Sequence, residues 1–159
     1  GASIGARLPA KGRLPVILSI AIVVFVVLES LNIAMLYFQP GSRLGNGVGV
    51  FNAFEASKAE PSVHALVRYL INWVAGTKLI FVGLLIVIVA SGSAETKLAA
   101  VLVLIASILS FFWRLFPALL RLDRDGQLTP KGYSKTLGLM IACFVAGFAA
   151  AVIATLSAR

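Results

Sequence analysis

The sequence predicts an all-α integral membrane protein, an antiparallel bundle of four transmembrane helices, and three observations carry that prediction. Of 159 residues, 60% are hydrophobic and 13% charged, with a mean hydropathy of +0.99. Soluble domains carry charge on about a quarter of their residues, and a chain of this size has too little interior to hide so much apolar surface. The apolar residues also gather into four runs, each at least as long as the ~20 residues that cross a hydrocarbon layer. The length of the chain leads to a single membrane domain, 1–159.

The first thirteen residues, with Arg7, Lys11 and Arg13, read as a basic, mobile arm. The first span covers 14–38, with Glu29 and Asn32 inside it; it exceeds a signal-peptide core, and no small-residue cleavage site follows it. Gln39-Pro40-Gly41 ends it. The main loop, 39–65, is glycine-rich in its first half, and Val50 to Phe54 is expected to lie on the membrane surface as a short amphipathic turn. Its glycines meet no phosphate-binding pattern. Pro61-Ser62 suits a helix start, and the second span is placed at 66–91, with His64 as a solvated helix-end residue.

The turn at Ser91 to Thr96 is tight enough to set the second and third spans antiparallel. The third span, 98–121, should kink at Pro117. Asp123-Arg124-Asp125-Gly126 opens the last loop, 122–135, as an ordinary turn, since no glutamate completes a calcium loop. The fourth span, 136–158, carries no charge. Its small residues Gly138, Ala142, Ala146, Ala150 and Ala154 recur every four positions, a ridge that permits close helix approach within the bundle or against a second copy.

Three charges fall at matching depth inside the spans. Glu29 stands nine residues before Phe38, Lys78 nine after Tyr69, and Arg114 seven before Arg121. At 1.5 Å per residue all three lie roughly 10–14 Å from the side that carries both larger loops. Asn32 and Asn72 share that layer. On the third helix Ser107, Ser110, Arg114 and Arg121 share one face, which is expected to turn inward. The resulting candidate cluster is Glu29, Asn32, Asn72, Lys78, Ser110 and Arg114.

Charged residues within spans are functional candidates by default, and three readings of the cluster compete. In the first, Glu29 pairs with Lys78 or Arg114 and locks the bundle while the basic side chains reach toward the boundary. In the second, two cations against one carboxylate leave a surplus positive charge suited to an anionic headgroup. In the third, Glu29 performs acid–base chemistry, for which a second acid or a histidine is missing.

Cys143, the single cysteine, excludes an intrachain disulfide and two-cysteine redox chemistry within one chain. No metal-ligand set or cofactor motif is found, and none is expected. The net charge of +8 is read as attraction to anionic lipid headgroups; no nucleic-acid motif is present. All tyrosines and tryptophans (Tyr37, Tyr69, Trp73, Trp113, Tyr133) fall on the loop side, as half of an aromatic belt. Loops 39–65 and 122–135 share one side, read as cytoplasmic from the count of basic residues, although the basic arm argues the reverse. The expected role is a non-enzymatic accessory or structural component of the cell membrane, a homo-oligomer or a subunit of a membrane complex. A small transporter or channel, or a lipid-binding or lipid-modifying protein, is the alternative.

Overall fold

The computed structural model describes residues 10–157, with side chains from Val16 onward. Every named element is helical: α1 (Ala10–Phe38), a 3-10 turn (Val48–Val50), α2 (Asn52–Ser57), α3 (Pro61–Ser91), α4 (Ala94–Leu109), α5 (Phe111–Arg124) and α6 (Tyr133–Ser157). Four stretches are long and apolar enough to cross a membrane: α1 from Val16, α3, α4 with α5, and α6. The start of the basic arm, with Arg7, lies outside the described residues, as does Arg159; Lys11 and Arg13 fall on the first turns of α1 rather than in a mobile arm.

Local chemistry sets the helix limits. Pro61 occupies the first turn of α3, where its missing N–H costs nothing. The Ser93 hydroxyl accepts from the Thr96 N–H at 3.2 Å and caps α4, with Glu95 in its first turn. Serine and threonine hydroxyls along the apolar helices satisfy themselves on the carbonyl one turn back, as Ser30 does on Val26, Thr77 on Trp73 and Thr155 on Ala151.

The third stretch departs from expectation. The interruption falls at Ser110, not at Pro117, which sits inside α5. There the bonding begins to tighten: the Ser110 N–H is shared between Ala106 O and Ser107 O, both at 3.2 Å, and the Trp113 N–H donates to Ser110 O at 3.1 Å. Pro117 offers no donor to the Trp113 carbonyl and crowds it, and the adjustment appears one turn upstream. The buried face continues across the break with little change of phase. Lys97, Val101 and Leu104 form the buried face of α4, and Leu119 and Asp123 that of α5. Ser107, Ser110, Arg114 and Arg121 are all exposed, so the face expected inside is outside.

Three apolar clusters hold the helices together. At the α3–α4 turn end, Leu18, Ile22 and Phe25 of α1 meet Leu85, Val101, Leu104, Phe148 and Ala151, so α1, α3, α4 and α6 share one core. Toward the loop end the core divides. Ile33 and Leu36 of α1 pack with Ile71, Ala75 and Val82 of α3 and Phe54 of α2. Leu119, Tyr133 and Leu137 of α5 and α6 pack separately with Val50 and Leu128.

The main loop joins these halves instead of lying flat. Val50 and Phe54, expected on a membrane surface, are buried one in each half. An isolated antiparallel bridge pairs Phe51 with Leu128, and the Thr129 hydroxyl donates to Asn52 Oδ1 at 2.7 Å, so the two loops are stitched together. His64 is not simply solvated: its Nδ1 lies 2.9 Å from the buried Ser57 hydroxyl, and its ring packs near Phe54. Gly49 lets loop backbones touch, since a Cβ there would overlap the Gly41 carbonyl.

The small-residue ridge of α6 winds off its buried face. A four-residue repeat advances about 40° per step against the 3.6-residue turn. Gly138 is buried, with a Cβ position only 2.6 Å from the Phe116 ring. Ala142, Ala146, Ala150 and Ala154 face outward, so those four do not pack within the molecule.

Candidate functional site

The inner stripe of α3 runs Ile71, Ala75, Lys78, Val82 and Leu85, at helical spacing. Lys78 therefore occupies a position that otherwise holds a core residue and faces α1. On α1 the matching stripe is Ile22, Glu29, Ile33 and Leu36, with Asn32 beside it. The two charges meet because neither helix can turn its own away without exposing a core stripe.

Lys78 Nζ donates to Glu29 Oε2 at 2.7 Å and to Asn32 Oδ1 at 2.8 Å. The paired side chains are 24% and 23% exposed, so water is only partly displaced. Charge-assisted bonds of this kind are stronger than neutral ones, and weak screening makes each charge dependent on the other. Among the described residues, no buried side-chain nitrogen or oxygen lacks a hydrogen-bond partner. As a unit the triad is neutral.

The other candidates stand apart. Arg114 is exposed on α5, its guanidinium 5.4 Å from the Trp113 ring centre. Asn72 precedes Lys78 by six residues, about a third of a turn off the inner face, and is exposed. The Ser110 hydroxyl, also exposed, donates to Ser107 O at 2.6 Å. The second cation on which an anionic site at this layer depended is therefore absent from it.

On the side of Glu29 away from α3 lies a cavity of about 370 Å³. It occupies the place where the common core divides. Phe25 and Phe144, whose rings meet edge to face at 5.5 Å, form its inner end with Ile108. Leu28, Leu31 and Met35 line the α1 wall, Met140 and Ile141 the α6 wall, and Gly45 and Asn46 cover the loop end. Glu29 and Asn32 supply its polar edge.

Sequence reasoning missed this cavity, although one signal was present: the chain has two methionines, and both line it. It also missed two residues that fix the cover. Tyr133, read as part of an aromatic belt, is buried, and its hydroxyl donates to Gly45 O at 2.7 Å. Asp123, read as part of an ordinary turn, is buried and accepts from the Gly132 N–H at 2.8 Å and from the Ser134 N–H at 3.0 Å and hydroxyl. It thereby serves amide donors left free at the start of α6. Lys97 is buried in the first turn of α4. No group of three or more His, Cys, Asp and Glu able to hold a metal occurs among the described residues. Compared with protein families, curated proteins and solved structures, the chain matches none.

Proposed function

We propose that this chain is a four-span, antiparallel component of the cell membrane, non-enzymatic, whose internal charges lock its first two spans. The observation that carries this reading is the Lys78 ammonium held by both Glu29 and Asn32. These polar groups are engaged with one another, which suits a fastener more than a reactive centre. Large apolar side chains such as Ile20, Leu84, Val103 and Ile153 are more than half exposed, as a lipid-facing surface requires. The loops that meet through Phe51 and Leu128 support placement on one side. That side carries seven Lys and Arg (Arg43, Lys58, Arg68, Arg121, Arg124, Lys131, Lys135) against four Asp and Glu, which suits an anionic, cytoplasmic leaflet. The outward alanines of α6 offer a second copy a close-packing face.

A double-mutant cycle tests the lock. Glu29→Leu or Lys78→Leu alone leaves a partner charge stranded and should destabilise by on the order of 2 kcal/mol, below the ~3–5 kcal/mol of a fully buried broken pair. The double replacement should recover most of that loss. Additive losses in unfolding experiments in detergent would show that the two residues act independently and would remove the lock.

A further inference from the structure

We propose that the cavity beside Glu29 binds one neutral, single-chain amphiphile, its hydrocarbon chain against Met35 and Met140 and its hydroxyl group at Glu29. This goes beyond the locking role, which uses only the α3 side of the same carboxylate.

Shape is the first argument. About 370 Å³ lies at the lower end of the ~300–1,000 Å³ usual for ligand pockets, room for one hydrocarbon chain. Gly45 and Asn46 line its loop end, and the Tyr133 hydroxyl holds the Gly45 carbonyl. Its rim on α1 is Leu28 and Leu31, 44% and 60% exposed, so access is lateral, from where hydrocarbon chains lie.

Wall chemistry is the second. Methionine is the most adaptable apolar side chain, and surfaces that accept varied ligands favour it. Both methionines of the chain stand here, one on α1 and one on α6.

Polarity is the third. Lys78 takes Glu29 Oε2 and Asn32 Oδ1. Glu29 Oε1 accepts no hydrogen bond, and Asn32 Nδ2 donates none, among the described residues. The polar edge therefore keeps one acceptor and one donor, the complement of an alcohol. An anionic head would meet the carboxylate, and a cationic one would compete with Lys78 for it. An alcohol disturbs neither.

The test uses phosphatidylcholine vesicles containing the protein and a monoacylglycerol with a diazirine in its acyl chain, with photo-adducts mapped by mass spectrometry. Adducts should concentrate on Met35, Met140 and Phe144 over the outward-facing Leu84 and Ile153. Leu28→Trp should cut the cavity adducts about tenfold and leave those at Leu84 unchanged. Leu31→Trp, at the more exposed rim, repeats this arm if Leu28→Trp does not fold. A diazirine fatty acid, carrying a carboxylate, should show no enrichment. The Glu29→Leu, Lys78→Leu double variant should lose enrichment while staying folded; if it does not fold, the lock fails and the Leu28→Trp arm still decides the cavity. Uniform labelling of all outward faces, equal enrichment by the fatty acid, or enrichment that survives the rim tryptophans would overturn the proposal.

Discussion

The Tyr133 hydroxyl reaches back across 88 positions of sequence to the Gly45 carbonyl, 2.7 Å away, and so ties the first turn of α6 to the cover of the cavity. Gly45 has φ +56, a left-handed conformation that glycine adopts without strain, and its carbonyl direction depends on that φ. Tyr133→Phe keeps the buried ring and removes only the bond. We expect a loss of about 1 kcal/mol and faster amide exchange over 44–50, read by hydrogen-exchange mass spectrometry. Unchanged exchange there would mean that the rest of the loop holds the cover.

Asp123 and Asp125 are two residues apart but differ in what they do. Asp123 is buried under α6 and receives the Gly132 and Ser134 donors; Asp125 is exposed. Asp123→Ala should lower the melting temperature in detergent clearly, and Asp125→Ala should hardly move it. Equal effects would point to net charge in the turn and not to capping of α6.

Two glycines of α6 make a matched pair. A Cβ at Gly138 meets the Phe116 ring at 2.6 Å, whereas one at Gly147 meets nothing within 4 Å. Gly138→Ala should therefore destabilise by about 1–3 kcal/mol through overpacking. Gly147→Ala should be neutral or stabilising by up to ~1 kcal/mol from helix propensity alone. A stable Gly138→Ala protein would mean that α5 moves freely over α6.

Topology follows from single cysteines on a Cys143→Ser background. Lys58→Cys and Lys131→Cys lie in the two loops stitched by the Phe51–Leu128 bridge; Glu95→Cys lies in the α3–α4 turn region. A membrane-impermeant maleimide added to sealed vesicles should label the first two together and Glu95→Cys from the opposite side. Labelling of Lys58→Cys and Lys131→Cys from different sides would dismantle the antiparallel arrangement.

Counting residues along the chain was enough to find the four apolar stretches, because length and composition alone define them. It also put Glu29 and Lys78 at one depth, since both helices run unbroken between their ends and those charges. Arg114 shares that depth, but depth does not fix which way a helix face turns. Ser107 before the break at Ser110 and Arg114 after it are both exposed, because Val101, Leu104 and Leu119 take the core-facing side and leave the polar face outside. The loop was read as a surface segment because Val50 and Phe54 looked amphipathic; nothing local says whether the apolar side meets lipid or protein. The cavity is a tertiary property, produced where the shared core divides into two, and only the methionines hinted at it.

The length of α3 sets how far the loop assembly stands off the membrane. Its 31 residues extend about 46 Å at 1.5 Å per residue, against a hydrocarbon layer of about 30 Å. The surplus at the Pro61 end is no frayed overhang, because Ser57 and Phe54 of α2 grip it at His64. In the bilayer proposed here, α3 is a rigid mast, and the stitched loops are carried on it at headgroup height. A thicker membrane would draw that mast inward and press the cover against the headgroups; a thinner one would lift it clear. Bilayer thickness would then set how far the mouth between Leu28 and Leu31 lies below the lipid surface.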